Sequence, residues 1–302
     1  MKILVAGASG VLGRALIGRL RHAGHDVWGM AYHARSLKVL DMLGAHPVQC
    51  NAMDRAAVFA SFEHIRPDGV IDQLTSLPAS PFELPARLPA DRILRLEGGG
   101  NLFEAAQVFQ VGRYVQQSCG FYLDGGGALA TEISPLRTGA PGTIGESARM
   151  YTALEQRVLS SSMLNGVALR YGFFYGPGTW YWPDGAFSDH VRQGEVALLG
   201  GGCSTLSFIH VDDAAQATVA ALTAPCGIYN IVDNQPMTMH EWLPAYAQWV
   251  GAPAPRRIGA DDAARLMGEE SVYYQNSLTG ACNRKAVAML GLHPRGQPWQ
   301  GG

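Results

Sequence analysis

The heptapeptide GASGVLG, Gly7 to Gly13, is the feature that most narrows what this chain can fold into. It stands between the apolar run KILVA and the stretch VLGRALIGRLRHAG, where Val11, Leu12, Ala15, Leu16 and Leu20 recur at helical spacing before Gly24. A strand, a glycine turn and a helix in that order bring backbone close to a bound phosphate. Gly7 permits the tight turn, Gly10 leaves room for a pyrophosphate against the backbone, and Gly13 lets helix and strand pack closely. The helix N-terminus adds unpaired N–H groups and the positive end of its dipole. Gly7, Ser9, Gly10, Val11, Leu12 and Gly13 are therefore the expected contacts of a dinucleotide.

KILVA shows no period-2 alternation, as a strand buried on both faces of a parallel sheet requires. HDVWGMA supplies a second strand and completes a βαβ unit. The alternation continues through the helical stretch DRAAVFASFEHIR, the strand DGVIDQL, the helix GGGNLFEAAQVFQV and the strand GRYVQQS. A further helix, SARMYTALEQRVLSSS, and a strand, GVALRYGFF, follow. The predicted fold class is α/β, a Rossmann-type doubly wound parallel sheet, with right-handed crossovers. After Gly172 the texture changes to FFYGPGTWYWPDGAF, rich in Gly, Pro and aromatics, and beyond about Gly251 the periodicity is weak. The expected division gives residues 1–171 and about 208–235 to the dinucleotide-binding domain. Residues of about 172–207 and 236–302 then form a smaller, discontinuous substrate-binding lobe.

Composition removes several function classes. A net charge of -2 and a pI of about 6.5 leave no electrostatic footprint for nucleic acid or an anionic membrane. No segment reaches the roughly 18–20 apolar residues that cross a bilayer. Cys50, Cys119, Cys203, Cys226 and Cys282 are scattered and form no CxxC pair. That pattern fits reduced thiols, predicts no disulfide framework and no metal site, and agrees with a cytoplasmic protein.

The second strand ends in MAYHARS, where a carboxylate that binds the ribose hydroxyls of NAD would stand. Ala31 and Tyr32 occupy that place, with His33 and Arg35 just beyond. A 2′-phosphate is favoured by Arg35 and by the missing carboxylate, so NADP is the expected cofactor, with NAD as the alternative.

With these residues in hand, the chain resembles the extended short-chain dehydrogenase/reductase superfamily in its NAD-dependent epimerase/dehydratase branch. The resemblance rests on GASGVLG, on RYGFFYGPG (Arg170 to Gly178) and on FIHVDDAAQA (Phe208 to Ala217), and covers roughly Met1 to Asp233. It implies a Rossmann domain with a small substrate lobe, and it places Asn51 where the family reads the adenine amino group. Ala52, Leu74, Tyr151, Tyr171 and Phe173 complete the expected cofactor contacts.

The family's chemistry uses a Ser or Thr after the fifth strand and a Tyr-x-x-x-Lys on the next helix, the lysine lowering the tyrosine's pKa and holding the nicotinamide ribose. In VQQSCGFYLDG the hydroxyl position falls on Gly120, after Ser118 and Cys119. In GESARMYTALEQRVL, one register puts Ser147 at the tyrosine and Tyr151 at the lysine. The other makes Tyr151 the tyrosine and puts Glu155 at the lysine, where a carboxylate would raise the phenol's pKa. Neither register contains a cation. Tyr151 and Tyr122 are the candidate catalytic groups. Cys119 is expected to be a buried small residue, His210 a structural histidine, and Asp212 and Asp213 helix caps.

Sugar-nucleotide members of the family hold a substrate phosphate with an arginine just before FxxVDD. Here Leu206 and Ser207 stand in that segment, which disfavours a sugar nucleotide. Phe173, Phe174, Tyr175, Trp180, Tyr181, Trp182 and Phe187 crowd one segment, split between core and a cleft for an apolar or aromatic small-molecule partner. The expectation is an atypical NAD(P)-dependent oxidoreductase acting on a small apolar or aromatic carbonyl or alcohol. A non-redox isomerase, cyclase or dehydratase and a non-catalytic NADP sensor are the alternatives, because function resides in the site and not in the fold. A homodimer is compatible with the sequence.

Overall fold

Seven parallel strands form the central sheet of the computed structural model, which describes residues 1–300. They are β1 (Lys2–Ala6), β2 (Asp26–Ala31), β3 (His46–Gln49), β4 (Gly69–Asp72), β5 (Arg113–Cys119), β6 (Asn165–Tyr171) and a last strand, Gly227–Ile231. Their spatial order is β3-β2-β1-β4-β5-β6 and then the last strand. This is the doubly wound α/β sheet expected from the sequence. Strand order reverses at the β1/β4 junction, so a crevice opens at the carboxyl ends of these two strands.

The apolar run of β1 divides between two cores. Ile3 and Val5 face one layer, Leu4 and Ala6 the other, and all four are fully buried. Helices α1 (Val11–His22) and α2 (Ala34–Met42), with the helix Val211–Ala220, cover the first face through Leu12, Leu16, Ile17, Leu20, Leu40 and Ala214. Helix α3 (Arg55–Ile65) covers the second face through Val58 and Phe62. Each such side chain contributes about 1.5–3 kcal/mol when fully removed from water.

Between β4 and β5 the chain forms α4 (Leu84–Ile93), a π turn (Leu94–Gly98) and α5 (Gly99–Val108). No helical periodicity marks the first part, because Pro85 and Pro89 interrupt it. Pro85 lies in the first turn, where a missing N–H costs nothing. Pro89 lies inside the helix and removes one backbone bond, yet the helix continues. Helix α6 (Gly142–Leu159) then returns beside β5 and β6, its Val158 end on the second core and Ile144 and Ala148 on a separate cluster with Cys119, Tyr122 and Leu123.

The remaining elements gather over the carboxyl edge. Phe173–Tyr175 pairs with Phe208–His210, Thr205–Leu206 with Met237–Thr238, and Leu198–Leu199 with Arg257–Ile258. Their core is aromatic, built on Phe173, Tyr175, Phe208, Trp242, Tyr246 and Trp299. The weakly periodic tail contributes helices Ala260–Met267, Glu269–Asn276 and Arg284–Leu290. One expectation needs correction here. His210, not the two aspartates, caps Val211–Ala220, its Nδ1 accepting from the Asp212 N–H at 3.1 Å. Asp213 is drawn off by Arg295, which donates from its backbone N–H and its guanidinium at 2.8–3.1 Å.

Helix α6 is tied to the sheet by one buried ion pair. Arg170 Nε and Nη2 each donate to Glu155 at 2.7 Å, and the Ser118 hydroxyl donates to the same carboxylate at 2.6 Å. Removing one partner of such a pair costs about 3–5 kcal/mol, whereas removing both together costs far less. We expect Glu155→Gln to lower the unfolding free energy by about 3 kcal/mol in urea titration, and Glu155→Leu with Arg170→Met to recover more than half of that. A loss below 1 kcal/mol for Glu155→Gln contradicts this account of how α6 is fixed.

Candidate functional site

The glycine loop sits at the β1/β4 switch point. Gly7 has φ +74°, and a Cβ there would lie 2.3 Å from the Gln73 carbonyl oxygen. A Cβ on Gly13 would meet the Gly7 and Ala8 carbonyl oxygens at 2.5 and 2.6 Å. Packing within the protein therefore accounts for both glycines. Gly10 differs: it is exposed, and a Cβ there would meet only the Gly7 oxygen, at 3.2 Å. Its other side is open. The first backbone bond into α1 runs from the Arg14 N–H to the Gly10 carbonyl, so the amides of Val11, Leu12 and Gly13 have no helical acceptor. Ser9 is half-buried at the mouth of this turn. The loop fits a diphosphate: bare amides, a helix dipole and no side chain in the way.

At the end of β2, Ala31 is buried while Tyr32, His33 and Arg35 are exposed, with the Tyr32 and His33 rings 4.8 Å apart. No carboxylate lies in this segment, and among the described residues Arg35 has no ion-pair partner. Asn51 Oδ1 accepts from the Met53 N–H at 3.1 Å, which leaves the amide nitrogen free for a ligand. Ala52 is buried beside it, its carbonyl accepting from Asn101 at 2.8 Å. Leu74 is half-buried just beyond β4, its N–H donating to Asp72 at 3.1 Å. These residues follow the carboxyl ends of β2, β3 and β4.

Tyr171 belongs elsewhere. Its hydroxyl accepts from Gln73 at 3.2 Å and is hydrogen-bonded to Thr218 at 2.6 Å, in the core beneath Val211–Ala220. As a side chain it is a core residue and not a cofactor contact, because β6 ends with this ring turned to the first core.

At the far end of the edge, Gly120 and Glu155 each have a structural role. Gly120 donates to the Tyr171 carbonyl at 2.7 Å, and a Cβ there would lie 2.7 Å from the Arg170 carbonyl oxygen. No serine fits that backbone without a shift. Glu155 is not the group that acts on Tyr151, since Arg170 and Ser118 hold its carboxylate. Ser147 is buried with its hydroxyl unpartnered among the described residues, which removes it from the open cleft.

A cation does stand beside Tyr151, and it comes from outside α6. Arg95, from the π turn, lies over the Tyr151 ring with its guanidinium carbon 5.5 Å from the centroid. Burial opposes the Arg95 charge, but the Asp91 and Asp72 carboxylates outweigh it and the guanidinium stays protonated. Burial likewise raises the Tyr151 phenol; Arg95 lowers it, and burial wins. Tyr151 is therefore a protonated phenol at neutral pH, able to donate and a poor base. Sequence reasoning missed Arg95 because two prolines hide its helix; the Asp91–Arg95 spacing of i to i+4 was the available signal.

Tyr122 and Tyr151 face the same region. They pack in one cluster with Cys119, Leu123, Phe121 and Tyr274. Burial raises the phenols of Tyr122, Tyr151, Tyr181 and Tyr274. Among the described residues none of these hydroxyls has a protein hydrogen-bond partner, and none is a sealed interior atom. Phe121 stacks on Phe173 at 4.3 Å, and Phe173 meets Tyr181 and Tyr274 edgewise at 6.0 Å. Phe121, Tyr181 and Tyr274, like Trp182 and Phe187, pack against the aromatic cluster built on Phe173, Phe208 and Trp242. Burial pushes the Cys119 thiol up to about 12, so it stays a thiol and a poor nucleophile. Leu206 and Ser207 are buried, the Ser207 hydroxyl accepting from the Ala281 N–H at 2.9 Å.

Residues 3–231 match the NAD dependent epimerase/dehydratase family. The chain is similar to a 3-diazoavenalumate denitrifying reductase from a Streptomyces species, 37% identical over 305 residues that cover 100% of this chain and 99% of the relative. It is also similar to a 2-alkyl-3-oxoalkanoate reductase from Stenotrophomonas maltophilia, 27% identical, covering 84% of this chain and 77% of that one. Among solved structures, the UDP-glucose 4-epimerase of Thermus thermophilus in complex with NAD superposes with a TM-score of 0.76 at 25% identity, covering 99% of this chain and 96% of that one.

The loop geometry separates two substitutions. Gly10→Val should leave the melting temperature within about 2 °C and abolish dinucleotide binding, read by quenching of tryptophan fluorescence. Gly7→Val should unfold the protein or lower its melting temperature by 10 °C or more. Retained binding in Gly10→Val contradicts the assignment of the loop.

Proposed function

The chain belongs to the NAD dependent epimerase/dehydratase family, and from that premise we propose that it is an NADPH-using reductase whose aromatic cleft takes a small aromatic substrate, a diazo arene in particular. The observation that carries this reading is the form of the site beside α6: Gly120 where a hydroxyl would stand, no lysine on the helix, and a protonated Tyr151. When bound, the reduced dinucleotide supplies a hydride, so that an arenediazonium gains hydrogen and two electrons, the C–N bond breaks, and arene and N2 leave without a proton from the protein. A site that moves no proton needs no lysine-tuned tyrosine. The full-length relative named for denitrifying a diazo compound supports the same class.

The residues have separable tasks in this reading. The loop Gly7–Gly13 holds the diphosphate, and Arg35 with His33 receives a 2′-phosphate. Asn51 meets the adenine. The lobe built from residues after Gly172 closes over the carboxyl edge and excludes water. Phe121, Phe173, Tyr181 and Tyr274 present ring faces and edges to an aromatic substrate, and such faces also attract a cationic arene. Proximity in that cleft supplies the rate.

A second reading, reduction of an aromatic ketone, is favoured by Tyr151 as a standing proton donor and by the 3-oxoalkanoate reductase relative. One comparison separates the two. With a carboxylated arenediazonium salt, NADPH consumption should exceed the rate without protein and match arene and N2 one to one. NADH should react at least 10-fold more slowly. Tyr151→Phe should keep this rate within about 3-fold. If the protein reduces only ketones, and Tyr151→Phe lowers kcat by roughly 10²–10⁴, the second reading is correct. Consumption with neither substrate class, despite bound NADPH, overturns the reductase reading.

The closed Leu206–Ser207 segment yields a further expectation. Uridine-diphosphate sugars should give no thermal stabilisation once the dinucleotide site is filled. A shift of 2 °C or more at millimolar sugar nucleotide contradicts the assignment of an unphosphorylated substrate.

A further inference from the structure

The chain has three lysines, Lys2, Lys38 and Lys285. Lys2 donates to the Ile65 carbonyl at the amino end of β1, Lys38 is exposed on α2, and Lys285 donates to the Ile228 carbonyl in the last strand. None is on α6. Arg95 is the cation beside the aromatic cleft, and its surroundings fix it there. It is 3% exposed, its Nε donates to Asp91 at 2.7 Å and its Nη1 to Gln117 at 3.2 Å. Asp91 is fixed in turn by the Thr75 hydroxyl at 2.8 Å and the Ser76 N–H at 2.6 Å, just past β4. The guanidinium is thus anchored to the carboxyl ends of β4 and β5, across the switch point from the glycine loop. Two of its nitrogens are committed. Nη2 has no protein acceptor among the described residues and is not a sealed atom.

We propose that Arg95 receives the second ribose of the bound dinucleotide, donating from Nη2 to its hydroxyl oxygens while its face holds the Tyr151 ring. A dinucleotide whose diphosphate lies on the amides of Val11 to Gly13 must lead its other half along the ends of β4 and β5, which brings sugar oxygens to this cation. Arg95 lies buried within the π turn and over Tyr151 of α6, and π turns are frequent at functional sites. This rests on the reading that the loop binds a dinucleotide, and not on which substrate is reduced.

The test is binding, with ADP as the control ligand because it carries the adenosine and diphosphate without the second ribose. Arg95→Met should weaken NADPH by 10- to 50-fold and ADP by less than 2-fold, and Arg95→Lys should regain at least a third of the lost affinity. Arg95 could instead serve only as the buried partner of Asp91. In that case Asp91→Asn with Arg95→Met, which removes both charges, would bind NADPH as the wild type does, and the proposal is overturned. Equal weakening of ADP and NADPH overturns it as well, since the defect would then lie in the fold. Unchanged NADPH affinity in Arg95→Met overturns it outright. If wild-type protein binds neither NADPH nor ADP, the failure is that of the dinucleotide reading itself.

Discussion

Backbone against backbone at the β1/β4 junction is the contact on which the rest of this structure depends. Gly7 lies on the Gln73 carbonyl and Gly13 on the carbonyls of Gly7 and Ala8, at distances that admit no side chain. That approach closes α1 onto the two central strands and leaves its N-terminal amides bare at the carboxyl edge. Everything chemical then follows along that edge: β2 ends in exposed Tyr32, His33 and Arg35, β4 in Leu74, and β5 in Cys119 and Gly120. The same strand ends carry the polar anchors, Asp72 and Gln117, that hold the helices above them.

Charge around the cleft is balanced pair by pair. Glu155 with Arg170, Asp91 with Arg95 and Asp213 with Arg295 each bring a carboxylate and a guanidinium together. Buried charges require such partners, since an isolated one costs several kcal/mol. Beside these pairs, burial keeps the phenols of Tyr122, Tyr151, Tyr181 and Tyr274 protonated. A site of this kind orients flat, apolar molecules and offers hydrogen-bond donors, but it contains no base ready at neutral pH. On the proposed function, such phenols suit hydride delivery to an acceptor that gives no alkoxide.

The sheet and the backbone form of the glycine loop were legible because they rest on local pattern: apolar runs and glycine spacing. The nicotinamide side was legible only as a set of departures. Gly120 and Glu155 could be located in the sequence, but not the reason for them. A Cβ at Gly120 would strike the Arg170 carbonyl, and Glu155 is bound to Arg170 on a strand fifteen residues away. Tyr171 was misplaced because strand alternation at the end of β6 turns it to the opposite core. Arg95, Tyr181 and Tyr274 reach the cleft through tertiary packing from three distant segments, and no spacing rule connects them.

On the proposed reading the dinucleotide lies along this edge with its reactive end beside Tyr151. A crystal structure of the NADPH complex tests it most directly. The diphosphate should lie on the amides of Val11 to Gly13, with nicotinamide C4 facing the space bounded by Phe121, Tyr151, Tyr181 and Tyr274. A nicotinamide ring turned out to solvent, or seated away from Tyr151, would contradict it.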